Sequence, residues 1–218
     1  MFFSYDSKFS QLMIKLCYSC YLNLLWFVCS IPIFTIGAST TALYYVSMKI
    51  VRGEESSLTK LFFKSSRENF RQSTVLWLIL LGIGLLLAGD GYILWHLRAT
   101  SAGTMAVIWT LMLAVVIVAA IAYVIVLMYV FPLVASVSNT NWAMLKNSFF
   151  IGIHYLFCSI LVFAIHFAMF FAVVAVFTPL IIFGEGLCAL LSAWLLSGVI
   201  RSVSYDPNTE EVTPGGEA

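Results

Sequence analysis

Between Thr104 and Ser136 the chain carries no charged side chain. As a helix that run would reach about 50 Å at ~1.5 Å per residue, more than the ~30 Å hydrocarbon thickness of a bilayer. A helix apolar on every side has no solvated face, so its solvent must be lipid or other protein. The rest of the chain points to lipid. Of 218 residues, 62% are hydrophobic and 10% are charged, with a mean hydropathy of +1.01. A soluble domain would carry about 25% charged residues. The length leaves room for about six spans of ~20 residues with short loops. A net charge of +1 gives no argument for nucleic acid.

Read in order, the chain opens with a short amphiphilic segment and a first span over about Ser10–Ile31, which Pro32 stops. The opening residues lack a basic start, an apolar run and a small-residue cleavage site, so a retained span rather than a cleaved leader is expected. Ile33–Val51 is a short second pass. Its start, with Pro32, Thr35, Gly37, Ser39, Thr40 and Thr41, is small and lightly polar. Small residues let helices approach closely in lipid, and hydroxyls can bond across the contact. Close packing is the preferred reading of this segment; a broken element beside a substrate path is the other.

Arg52-Gly53 ends that pass, and residues 56–72 read as a separate amphipathic helix on the cytoplasmic interface. Its Lys60, Lys64, Arg67 and Arg71 recur at steps of four, three and four, which puts four cations in one stripe. Such a stripe lies on an anionic leaflet or meets an acidic partner. A third span is expected over Thr74–Leu97. Within it Asp90, between Gly89 and Gly91, is a candidate polar site, since ionisable residues inside spans are functional by default. Its nearness to Arg98 also suits a purely interfacial position. The fourth pass is Thr104–Ser136, with Pro132 near its end. A short helix over Trp142–Ile153 precedes a fifth span, Tyr155–Phe177, and a sixth, Ile181–Ile200, opening through Gly184-Glu185-Gly186. Ala189, Ala193 and Ser197 form a small-residue stripe suited to a neighbouring helix. Residues 204–218 read as a disordered cytoplasmic tail.

The expectation is therefore an all-α, polytopic transmembrane bundle of about six spans plus the interfacial helix, in a single domain over residues 1–203. With six passes, every cation except Arg98 falls on one side, which puts both termini in the cytoplasm. If the short second pass fails to cross, five passes would strand Lys8 and Lys15 outside.

Chemistry is sparse. There is no phosphate-binding GxxxxGK[ST] loop, no HExxH and no GxSxG. His96, His154 and His166 are not at ligand spacing. Cys17 and Cys20 form a CxxC without a second pair or a nearby histidine, so the five cysteines read as apolar helix residues. No cofactor, metal or catalytic residue is expected, and the chain is not expected to be an enzyme.

The run from Pro32 to Tyr44, PIFTIGASTTALY, followed by Arg67-Glu68-Asn69-Phe70, resembles the YesL-like family of bacterial integral membrane proteins, long listed as a domain of unknown function. Phe131-Pro132-Leu133 and Leu145-Lys146-Asn147-Ser148-Phe149 are also similar to that family. The resemblance implies several spans in a Gram-positive plasma membrane and a setting beside carbohydrate importers. It supplies no catalytic residues. The leading functional expectation is an accessory or regulatory subunit bound to the permease subunits of a carbohydrate ATP-driven importer. The alternatives are a small independent transporter or channel for a sugar-related solute and, ranked last, an intramembrane enzyme. Self-association stays open.

Overall fold

The computed structural model describes residues 8–54, 57–175 and 181–204, and these form an all-α structure. The helices are α1 (Lys8–Cys29), α2 (Ile36–Val51), α3 (Leu58–Thr100), α4 (Thr104–Ser136), α5 (Asn141–His154), α6 (Leu156–Ala175) and α7 (Ile181–Ser204). One 3-10 turn, Ile33–Thr35, joins α1 to α2. The expected tail, residues 205–218, and the first seven residues lie outside the described residues.

The short second pass is the hub. Twelve of the sixteen residues of α2 are buried, and α1, α3, α4 and α7 all pack on it. Its composition explains why. Gly37, Ala38, Ser39, Thr40, Thr41 and Ala42 let neighbouring backbones come near, and Leu43, Val46 and Ile50 fill the remaining space with no exposure. Gly53, at φ 72°, then turns the chain out of α2 in the left-handed conformation that suits glycine. Lys49 pairs with Glu54 across that turn. The hydrogen bond from Lys49 holds the Glu54 carboxyl below its usual range.

The basic segment is not a separate interfacial helix. It forms the first turns of α3, which continues without a break for 43 residues into the expected third span. At ~1.5 Å per residue α3 is about 64 Å long, roughly twice the hydrocarbon thickness. The physical reason lies at the junction: Gln72-Ser73-Thr74 contains neither proline nor glycine, so the change from charged to apolar composition carries no helix stop.

α3 and α4 run antiparallel, with Trp77 near Phe131, Gly84 against Tyr123, and Gly91 near Val116. Their far halves are bare of protein: Leu85, Leu86, Val115 and Val118 are each about two-thirds exposed. The near half of α4 is buried at Tyr129–Val134. Pro132 sits inside the helix, which runs on to Ser136. α5 starts on a Thr140 cap that accepts from the Ala143 backbone N–H at 3.4 Å. α6 and α7 form a second antiparallel pair, and α7 packs on α1 and α2.

Among the described residues three helices, α3, α4 and α6, are long and apolar enough to cross a membrane. α1 and α7 carry shorter apolar stretches, Met13–Cys29 and Gly184–Val199. α2, at sixteen residues, falls short of the ~20 that a full crossing needs.

Candidate functional site

Three groups of residues carry the polar chemistry. The first is the start of α2. Pro32 is exposed in the turn before it, whereas Gly37, Ser39, Thr40 and Thr41 are buried. A methyl group added to Gly37 would collide with the Ser73 carbonyl oxygen and stand 2.7 Å from Trp77 Cβ, so α2 and α3 touch backbone to backbone here. Thr41 donates to the Gly37 carbonyl at 2.9 Å, which leaves the Ser73 hydroxyl as donor to Thr41 Oγ1 at 2.8 Å. Ser39 donates to the Thr35 carbonyl at 3.0 Å, and the Trp26 indole donates to Thr40 Oγ1 at 3.0 Å. The hydroxyls of Ser39, Thr40 and Thr41 are thus engaged with helix partners. The segment is a packed seam between α1, α2 and α3.

The second group is the cationic stripe. Lys60, Lys64, Arg67 and Arg71 are all exposed on α3, on the side opposite buried Phe62, Ser65 and Ser73. Phe63 and Phe70 flank them and are 51% and 41% exposed. With Ser66 and Arg67 they line a groove of about 510 Å³. A face holding four cations and two uncovered phenyl rings suits an acidic, partly apolar segment.

The third group was not singled out from sequence. Glu185 opens α7 between two glycines that each allow a close approach. Gly184 faces Met169 of α6, and Gly186 lies against the Ser19 backbone and Asn23 of α1. The Gly186 N–H donates to Asn23 Oδ1 at 2.8 Å. Glu185 lies within electrostatic reach of His166 on α6 and Tyr44 on α2. His166 Nδ1 is 2.9 Å from the Val162 carbonyl, which can only accept, so Nδ1 carries the proton. Glu185 thus has an imidazole and a phenol, from two other helices, within electrostatic reach. The signal available in sequence was an ionisable residue between glycines inside an apolar run; its partners, on α6 and α2, are set by the fold alone.

Asp90 is exposed on the far half of α3, apart from all three groups. Of the small-residue stripe expected to suit a neighbouring helix, Ala189 and Ala193 are buried in the core, on a helix that packs on α1, α2 and α6. Among the described residues no cluster of three or more His, Cys, Asp or Glu side chains could hold a metal ion.

The fold and these sites define a multi-pass, all-α membrane protein in contact with the lipid bilayer. Residues 20–90 match a family model described as "Protein of unknown function, DUF624". That match runs from the middle of α1 to Asp90 and takes in the α1–α2 turn, all of α2 and the cationic stripe. No curated protein and no solved structure matches the chain.

Proposed function

We propose that the chain is an accessory or regulatory subunit of a carbohydrate ATP-driven importer in a bacterial plasma membrane, of the YesL-like kind. Six helices enter the bilayer, and both termini are cytoplasmic. The observation that carries this reading is the exposed face of α3, where Lys60, Lys64, Arg67 and Arg71 stand beside uncovered Phe63 and Phe70. Lipid headgroups attract the cations at about 1 kcal/mol each, and Phe63 and Phe70 also suit the headgroup–acyl boundary, so the Arg-to-Lys comparison below separates lipid from protein. The two phenyl rings add a surface that a permease subunit's acidic, amphipathic cytoplasmic segment would cover.

The test is copurification of the tagged native protein in gentle detergent. Arg67→Lys/Arg71→Lys keeps the charge but loses the bidentate geometry of guanidinium. That pair should release the importer permease while membrane insertion stays normal. Lys60→Gln/Lys64→Gln should weaken binding less. If both pairs leave the permease fully bound, the stripe is only a topological anchor.

One observation favours a second reading, a small independent transporter or channel for a sugar-related solute. It is Glu185 within electrostatic reach of His166 and Tyr44. Under that reading Glu185→Gln abolishes solute flux in liposomes at unchanged protein level. Under the first it leaves copurification intact.

A further inference from the structure

We infer that the α1–α2 turn is a hairpin tip that enters the bilayer from the cytoplasmic side and ends among lipid acyl chains, without reaching the far face.

Four observations carry this. The first is depth. The Trp77 indole donates to the Ile33 carbonyl at 2.8 Å, which ties the tip to one level of α3. From Trp77, α3 runs on to Arg98, about 31 Å further at ~1.5 Å per residue, with its apolar surface uncovered. The hydrocarbon part of that length ends near exposed Asp90, about 20 Å from Trp77, so about 10 Å of the ~30 Å core lies on the near side of the tip. The tip therefore stops far below the level at which the α3–α4 turn leaves the membrane.

The second is the contrast between the two turns. The α3–α4 turn is Ser101-Ala102-Gly103, and the last turn of α3 before it carries Arg98 and Thr100, a polar composition that suits water or headgroups. The α1–α2 turn is Ser30-Ile31-Pro32-Ile33-Phe34. Its Ile31, Ile33 and Phe34 are 71%, 65% and 51% exposed, and Val28 beside them is 61% exposed. An apolar tip with no charge suits hydrocarbon.

The third is the backbone. Non-helical chain at membrane depth must have its polar groups satisfied by protein. The Thr35 hydroxyl lies 2.6 Å from both the Cys29 and the Pro32 carbonyls. The Ile33 carbonyl accepts from the Trp77 indole and from the Ile36 N–H. The Ser30 N–H donates to the Trp26 carbonyl at 2.9 Å, and the Thr35 N–H to the Pro32 carbonyl at 2.9 Å. Pro32 has no N–H to satisfy. These bonds satisfy much of the turn's backbone, while the Ser30 hydroxyl is buried with no hydrogen-bond partner among the described residues.

The fourth is charge. Lys8 and Lys15 stand on the α1 stem, and Lys49 and Arg52 close the α2 stem. Entering and returning on one side keeps all four cytoplasmic without a full crossing by α2, and the five-pass difficulty disappears.

The experiment uses full-length protein with the five native cysteines replaced and one cysteine introduced, at Ile31, Ile33 or Ser101. A membrane-impermeant maleimide is applied to intact cells and to inside-out vesicles. Position 101 should label from outside, and positions 31 and 33 from neither side. A spin label at 33 should be more accessible to oxygen than to a water-soluble nickel chelate. Labelling of 31 or 33 from outside at the rate of 101 would mean a complete span, and labelling from inside would mean a cytoplasmic turn; either overturns the inference. If the cysteine-free chain does not accumulate, benzoylphenylalanine at position 31 of the otherwise native chain decides. Lipid adducts support the inference. Their absence, when the same probe at Leu85 gives them, refutes it.

Discussion

At Gly37 and at Gly186 a methyl group has nowhere to go. The first would meet the Ser73 carbonyl and Trp77 Cβ, the second the Ser19 carbonyl and Asn23 Cβ. Backbone and Cβ atoms cannot swing aside as a flexible side-chain end can, so the helices must separate. Gly37→Ala and Gly186→Ala should each cost about 1–3 kcal/mol. Gly82 and Gly89 on α3 have nothing within 4 Å of the same added atom. Alanine at either should be neutral or should gain up to ~1 kcal/mol from helix propensity. Thermal unfolding in one detergent checks all four. The same reasoning ranks Asp90. It is exposed and remote from the packed seam, so under the importer-subunit proposal Asp90→Asn should leave sugar uptake near normal. Replacing Gly37–Thr41 with leucines should abolish uptake with loss of folded protein. Uptake assayed at matched protein levels decides between these outcomes.

Among the elements, α3 departs most from what its sequence suggests. Spin labels at positions 60 and 98 should lie about 57 Å apart along one helix at ~1.5 Å per residue. Two helices at right angles, broken near residue 73, would bring the labels to about 40 Å at the same rise. Electron–electron double resonance separates the two. Other elements were legible. The uncharged run fixed α4 at Thr104–Ser136, and the short helix expected over Trp142–Ile153 matches α5 within a residue at each end. Composition misled at α3 because a change of solvent is not a change of backbone conformation. The packing of Gly37–Thr41 was legible, since small residues in lipid have few other uses. The nearness of His166 and Tyr44 to Glu185 was not, because each residue looks ordinary on its own helix and only the fold brings the three helices together. The stripe at 60, 64, 67 and 71 was legible from spacing, but its flanking phenyl rings were not, since nothing local says which apolar residues a core leaves uncovered.

On the scale of the whole molecule, the two hairpins do different work. The α3–α4 pair carries the long bare apolar surface, and the bundle of α1, α2 and α7 holds the buried centre. A cysteine at Ser101 should label from outside the cell, and one at Asn141 should not. Labelling of Asn141 from outside would reverse the orientation and place the cationic stripe on the wrong side for a cytoplasmic partner.

The bond from Gly186 to Asn23 joins residues 163 positions apart in the chain. A ribosome delivers α2 well before α7, which covers part of it. At ~20 residues per second, the upper end of synthesis rates, Asn23 waits on the order of eight seconds for the Gly186 amide. For that interval one side of α2 faces lipid or an insertion factor. A chain that stops before α7 never closes its centre, and membrane quality control should degrade it even though its other helices are already in place.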